Sequence, residues 1–183
     1  MLVECGFTRA TTADGREFTF RPSFGRISTL GDPLAIVRLY AGLFGTRAAG
    51  DARYVLACLC DQEDPLPLLG WLDAELVEHP GAMPPSEQVI LARHLMQHGI
   101  VGKARPEASS GAKGKFSDRF DASEFVSAAR VHLGLSSEDA EALSMTEFQT
   151  MFEMKFPDKN KRDVPSRTEY AAGMARLKGK MDV

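Results

Sequence analysis

The sequence predicts an α+β fold: an N-terminal β-hairpin with a helical bundle, then a flexible linker and a small all-α C-terminal domain. Three observations lead to this prediction. Apolar and polar residues alternate near the N-terminus, apolar residues recur at helical spacing further along, and apolar content collapses within residues 103–120. We therefore expect a domain at 1–102, a linker at 103–120 and a helical domain at 121–183 whose tail is partly disordered.

The hairpin is predicted from two short alternating segments. Apolar and polar residues alternate through 2–9 and again through 17–21, which is typical of half-buried strands. Asp14-Gly15 lies between the two segments, and glycine accepts the positive φ that a tight turn requires. Pro22 ends the second strand, because proline lacks the N–H group that a sheet ladder needs.

Four helices are predicted in the rest of the N-terminal domain. Asp32-Pro33 is a capping residue followed by a first-turn proline, and the helix that begins there is expected to end at Gly45. The other three are predicted from apolar spacing and from proline or glycine boundaries. They are residues 51–61, a short helix around 68–77, and a helix from Pro84 to about His98 that Gly99 closes.

The C-terminal domain has clear helix start signals. Three pairs of residues fit a capping box, in which two side chains satisfy unpaired backbone N–H groups reciprocally. These pairs are Asp121 with Glu124, Thr146 with Gln149, and Ser166 with Glu169. A short acidic helix is predicted between the first two, after Gly134, and Pro157 is expected to end the helix that Thr146 begins.

Nothing in the sequence favours an enzyme, and we expect no catalytic residue and no cofactor. There is no Gly-x-Ser-x-Gly nucleophile motif and no glycine-rich phosphate loop between a strand and a helix. His94 and His98 share one helix face, and Cys58 and Cys60 could add thiolates. The cysteine spacing is tighter than in usual zinc sites, so we interpret the histidines as surface residues and expect no metal.

Charge is unevenly distributed along a chain whose net charge is −3. Residues 121–154 contain seven acidic and one basic side chain, whereas residues 155–183 contain eight basic and four acidic ones. The acidic block is either a solvated face or a surface for docking to a basic partner or within an oligomer. Because few aromatic rings accompany the basic residues, nucleic acid is not an expected partner.

The lengths of the apolar runs, the N-terminal residues and the cysteines together predict where in the cell the protein is located. No apolar run approaches the ~20 residues that a membrane span needs, and the N-terminus lacks the pattern of a signal peptide. The three cysteines do not indicate a disulfide framework. We expect a cytoplasmic protein with no membrane partner.

Methionine and phenylalanine residues are frequent in the helix predicted after residue 145. On a helix such side chains either fill a core or form an adaptable surface, because an unbranched thioether repacks easily. Both interpretations stay open. The candidate partner-binding residues on this basis are Met145, Phe148, Met151 and Phe152.

Short segments in both halves of the chain resemble bacteriophage proteins. Residues 15–37, with Pro22-Ser23-Phe24 and the helix start at Gly31-Asp32-Pro33, resemble a family of uncharacterised phage tail-region proteins. Residues 132–148 resemble the C-terminal part of tail assembly chaperones from long-tailed phages. Residues 144–149 and Lys155-Phe156-Pro157 resemble the C-terminal half of the uncharacterised tail-region family.

This resemblance implies a tail assembly chaperone that binds and solubilises the tape measure protein during tail morphogenesis. It also implies a location in the cytoplasm of the bacterial host and absence from the mature virion. The tail tube protein is a second candidate partner, and a homo-oligomer is compatible with the role. Two alternatives stay open: a structural tail completion or connector protein, and an acidic anti-defence protein that uses residues 121–154.

Overall fold

A computed structural model describes residues 6–75, 77–103 and 118–157 of the chain, and it confirms the α+β fold. Two antiparallel strand pairs lie among mostly helical elements. In chain order the elements are β1 Thr8–Thr11, β2 Glu17–Phe20, α1 Phe24–Ser28, α2 Pro33–Gly42, α3 Ala48–Leu59, α4 Leu66–Leu69, β3 Trp71–Leu72, β4 Glu78–His79, α5 Pro85–Met96, α6 Ala122–Ala128, α7 Ser137–Ala142 and α8 Met145–Lys155.

The N-terminal hairpin forms around the predicted turn, but its first strand ends two residues later than predicted. Gly15 has a φ of 84°, and its N–H donates to the Thr12 carbonyl at 2.9 Å, so the turn is confirmed. Of the described residues, 6 and 7 lie outside β1 although the prediction included them, and β1 continues two residues past the predicted end to Thr11, which pairs with Glu17. Residues 1–5 lie outside the described part of the chain.

Helix α2 begins as predicted. The Asp32 carboxylate accepts hydrogen bonds from the N–H groups of Leu34 and Ala35, at 3.0 and 2.8 Å, which satisfies two donors at the helix start. The helix ends at Gly42 rather than Gly45, and α3 begins at Ala48, three residues before the predicted start.

The prediction of a single helix around residues 68–77 is wrong. A four-residue helix, α4, ends at Gly70, and a short hairpin of β3 and β4 follows. Gly70 has a φ of 73°, and a Cβ at this position would overlap the His79 carbonyl oxygen. The chain therefore leaves the helical conformation at a position that favours glycine.

Helix α5 does not close at Gly99 as predicted. Residues 97–101 continue it as a wider, π-type turn, in which the Gly102 N–H donates to the Gln97 carbonyl at 2.8 Å. Gly102, with a φ of 80°, ends the helix. A similar turn at 129–133 extends α6 to Gly134, where the predicted helix end is confirmed.

The start of α8 differs from the prediction by two residues. The Ser144 hydroxyl accepts from the Glu147 N–H at 3.2 Å, and the Glu147 carboxylate accepts from the Ser144 N–H at 2.9 Å. This is a capping box, but Ser144 forms it and not Thr146. The Gln149 side-chain oxygen instead accepts from the Lys103 N–H at 2.8 Å.

One hydrophobic core includes residues from both sides of the predicted linker. The ring of Phe24 in α1 is fully buried and lies 5.7 Å from Phe125 and 6.1 Å from Phe148. Phe120 contributes a further ring at 6.4 Å. Helices α6 and α8 therefore pack on the N-terminal elements, while the exact domain boundaries stay a prediction.

Two sequence predictions lie outside the described residues. One is most of the linker, since residues 104–117 are not described, and the other is the helix that Ser166 was expected to begin. The predicted caps at Asp121 and Thr146 can be judged. The Asp121 carboxylate accepts from the Ser123 N–H at 3.0 Å, which confirms a cap there, without the reciprocal contribution expected from Glu124.

Candidate partner-binding surface

Helix α8 places the four predicted partner-binding residues in two different environments. Met145 and Phe148 are buried, with 4% and 8% of their surface exposed, and both belong to the hydrophobic core. Residues three apart lie on the same side of a helix, and on this side the Phe148 ring lies 6.1 Å from Phe24 of α1. In this structure Met145 and Phe148 are therefore core residues and not part of an exposed surface.

The second half of α8 and its end carry exposed apolar side chains. Met151 is 37% exposed, Phe152 is half-buried, and Met154 and Phe156 are 78% and 48% exposed. Met154 and Phe156 are not among the residues predicted from the sequence, although their apolar character next to Phe152 is a signal. We call Met151, Phe152, Met154 and Phe156, together with the adjacent ring of His132, the α8 surface.

Aromatic rings connect the α8 surface to the core. Phe148 lies 5.6 Å from Phe152, which lies 4.8 Å from Phe156, so three rings follow one another along the helix. His132, in the turn that extends α6, lies edge-on at 5.9 Å from Phe152 and 6.2 Å from Phe156. The packing holds these rings in place, so a partner that binds them loses little rotamer freedom at this end of the helix.

Acidic side chains dominate the charge of α6 to α8. Glu138 and Asp139 lie in the first turn of α7, where the helix dipole favours negative charge. Asp121 is stabilised as a carboxylate, because hydrogen bonds from the Ser123 side chain and backbone lower its pKa. Glu124, Glu138, Asp139 and Glu141 are exposed, whereas Glu147 and Glu153 are half-buried, and Glu153 forms an ion pair with Lys103 at 3.8 Å.

Two further surface features were not predicted from the sequence. The β3–β4 hairpin exposes Trp71 and Leu72, and the ring of Trp71 stacks on His79 at 4.0 Å. An open groove of about 420 Å³ lies against the end of α6. Ser127, Arg130, Val131 and Leu135 line it.

The interpretation of His94 and His98 as surface histidines is wrong. Both are half-buried, and their rings lie 4.6 Å apart in an edge-on arrangement. The His98 Nδ1 lies 2.9 Å from the Thr146 hydroxyl, while His94 Nε2 is buried and has no hydrogen-bond partner in the described structure. Burial, together with the neighbouring His94, lowers the pKa of His98.

Across residues 6–75, 77–103 and 118–157, no three His, Cys, Asp or Glu side chains are placed to hold a metal ion together. Cys58 is half-buried and Cys60 is buried, and burial raises the pKa of the Cys60 thiol. None of the helices in these ranges is long and apolar enough to cross a membrane.

The fold and the surface define a small α+β protein whose last described helix presents apolar side chains beside acidic ones. The chain belongs to the family of unknown function DUF6246, which matches residues 42–172 and so spans α3 to α8. Neither a curated protein nor a solved structure matches the chain.

Proposed function

We propose that this protein is a phage tail assembly chaperone that binds the tape measure protein through the α8 surface. The observation that carries the proposal is the exposure of three apolar side chains, Met151, Met154 and Phe156, within one and a half helical turns. The sequence resemblance to tail assembly chaperones supplies the identity of the client.

The chemistry of the client supports such a surface. A tape measure protein is a very long helical chain with apolar faces that would associate if left bare. Methionine and phenylalanine can accept different apolar segments of one client, because the thioether repacks and the aromatic rings are already ordered. Acidic residues nearby keep the complex in solution by charge repulsion between neighbouring copies.

The expected affinity of one copy is modest. The exposed parts of Met151, Met154 and Phe156 amount to roughly 300 Å² of apolar surface, which corresponds to about 8 kcal/mol if all of it is buried. Association costs at least about 4 kcal/mol in lost freedom of motion. A single copy therefore binds weakly, and many copies along one client give a stable assembly.

Co-expression with the tape measure protein of the same phage tests the proposal. The wild-type chain should raise the soluble yield of the tape measure protein, and the variant M151S/M154S/F156S should not. The matched control L34S/L72S/I90S removes three side chains with similar exposure, 38%, 52% and 67%, from other elements. The proposal fails if both triple variants rescue the client equally, provided that both stay folded by circular dichroism.

The presence of the chain in purified virions separates this function from the main alternative. A chaperone should be absent from mature particles by quantitative mass spectrometry. A stoichiometric amount in the particles would favour a tail completion or connector protein. The exposed acidic residues of the C-terminal helices are the observation that favours the anti-defence alternative. Salt-sensitive binding to a basic host nuclease would support that alternative.

A further inference from the structure

The β3–β4 hairpin presents an aromatic ring and an apolar side chain on one face. Trp71 pairs with His79 across the hairpin, and the Asp73 N–H donates to the Val77 carbonyl at 3.1 Å, so the pairing continues toward the turn. Residues two apart on a strand share a face, which places Trp71 and Val77 on the same side. They are 43% and 53% exposed. We call Trp71, Asp73, Val77 and the exposed Glu75 of the turn the hairpin surface.

The Trp71 ring is held in a fixed orientation. It stacks on His79 with 4.0 Å between the ring centroids and 9° between the ring planes. His79 Nε2 lies 3.1 Å from the Asp73 carboxylate, which also accepts from the N–H groups of Val77 and Glu75, at 2.8 and 3.0 Å. One face of the indole is therefore covered, and a ligand can contact the opposite face of a side chain that is already ordered.

Three attachments fix the hairpin to the helical body. Gln88 of α5 is 1% exposed, and its side-chain NH2 group donates to the carbonyls of Leu69 and Met83, at 2.8 and 2.9 Å. These two carbonyls precede and follow the hairpin in the chain, so one buried side chain ties both of its ends. An ion pair between Arg53 of α3 and Glu78 of β4 adds the third attachment. The protein therefore presents the hairpin surface in a defined position.

The charge around the hairpin surface is negative. Residues 61–80 contain six acidic side chains and no lysine or arginine. Three of the six contact a basic side chain of the protein itself. The other three, Glu63, Asp64 and Glu75, are exposed and form no ion pair in the described parts of the chain. A ligand that approaches this region therefore meets aromatic and apolar surface together with uncompensated negative charge.

We propose that the hairpin surface is a second docking site, and that it binds an arginine-containing amphipathic segment of another protein. A guanidinium group can stack on the open face of Trp71, since tryptophan is the aromatic ring that attracts cations most strongly. Apolar side chains of the same segment pack against Val77, and a further arginine pairs with a free carboxylate. The inference goes beyond the proposed function, because it uses a different surface and does not require the tape measure protein.

The dimensions of the hairpin fit a short helical segment. Trp71 and Glu75 are four residues apart, so their Cα atoms are separated by at most about 14 Å. Two turns of a partner helix cover about 11 Å, and side chains three and four residues apart lie on one face of it. One face of the partner can therefore contact the ring and the carboxylate together. An acidic segment would be repelled by the same carboxylates, which is why we infer a basic partner.

Titration of the full-length protein with a synthetic peptide tests the inference. Because Trp71 is the single tryptophan of the chain, its emission reports the hairpin surface directly. The probe is a helical peptide of about 16 residues without aromatic side chains, with leucine and arginine on one face and glutamine elsewhere. Binding should change the Trp71 emission and should weaken in about 0.5 M salt. A peptide with glutamate in place of arginine should bind at least about tenfold more weakly.

Variants of the protein locate the bound peptide, and a fluorescent label on the peptide measures its Kd. Trp71→Leu should weaken binding at least about threefold, because the cation–π contact is lost while the apolar character is kept. E63Q/E75Q should weaken binding about two- to fourfold. The matched control E124Q/E138Q changes the net charge equally, at exposed positions in α6 and α7, and should bind like wild type. The charge pair decides the question if Trp71→Leu does not fold by circular dichroism.

Four results would overturn the inference. Three of them are no binding of the arginine peptide, binding without a change in Trp71 emission, and equal effects of the two charge pairs. The fourth is binding that is lost in M151S/M154S/F156S but kept in Trp71→Leu, which would place the peptide on the α8 surface. Each of these results leaves the proposed function standing, because co-expression with the tape measure protein tests that function separately.

Discussion

Replacing Phe24 with alanine should destabilise the whole described structure rather than its N-terminal part alone. Phe24 is fully buried, and its ring contacts Phe120, Phe125 and Phe148, which all follow residues 104–117 in the chain. Removing a buried phenylalanine costs about 3–5 kcal/mol through lost burial and the cavity that remains. For a chain of this size that loss corresponds to a decrease in Tm of about 10 °C.

Urea unfolding monitored by two signals provides the assay. Far-ultraviolet circular dichroism reports all helices, and the fluorescence of Trp71, the single tryptophan, reports the β3–β4 hairpin. Both transitions should coincide and shift together in Phe24→Ala, because the two sides share one core. The control Phe156→Ala removes a ring that is 48% exposed and should cost less than about 1 kcal/mol.

The shared-core argument would be refuted by either of two results. One is a decrease in the free energy of unfolding of less than about 1 kcal/mol in Phe24→Ala, which would mean that the cluster of rings contributes little to stability. The other is a pair of separate unfolding transitions, of which only one shifts in Phe24→Ala. That second result would support independent domains, as the sequence led us to expect.

Three further outcomes are expected. Gly70→Ala should lower the free energy of unfolding by about 1–3 kcal/mol, measured with urea, because the φ of Gly70 is 73° and a Cβ would overlap backbone atoms. The control Gly50→Ala, in helix α3 with open space around it, should be neutral or stabilising. The folded-state pKa of His98 lies below its usual value, so its stabilising contribution is present above about pH 6.5 and lost as the pH falls through the folded-state pKa. In His98→Asn the urea unfolding midpoint should therefore change less with pH between about pH 7.5 and 5 than in the wild-type chain. An unchanged pH dependence of the midpoint would contradict the lowered pKa of His98. Trypsin should cut within residues 103–118 and leave two fragments that co-elute in gel filtration, and their separation would count against the shared core.

The sequence predicted those features of the fold that depend on local chemistry. The turn at Asp14-Gly15 and the cap at Asp32 follow from glycine conformation and from carboxylate hydrogen bonding, and both were found. The cap of α8 was missed because two overlapping patterns compete there. Thr146 lies inside α8, where its hydroxyl contacts His98, a residue 48 positions away in the chain. A local sequence pattern cannot indicate a contact between residues so far apart.

The candidate surface was only partly predictable for the same reason. The sequence led to four candidate residues, Met145, Phe148, Met151 and Phe152, but it could not indicate which of them faces the core. The answer depends on Phe24, which lies on a short helix that was not predicted. Phe156 is not among the four predicted residues, and it lies just after the last residue of α8.

The central claim is that a tape measure protein binds the α8 surface, and an exchange footprint of the complex tests it most directly. The complex of the full-length chain with the tape measure protein should show slower exchange at residues 148–157 and 129–135 than the chain alone. The β3–β4 hairpin, which also exposes apolar side chains, should be unaffected. A stable complex with protection confined to residues 71–79, or no complex at all, would contradict the account.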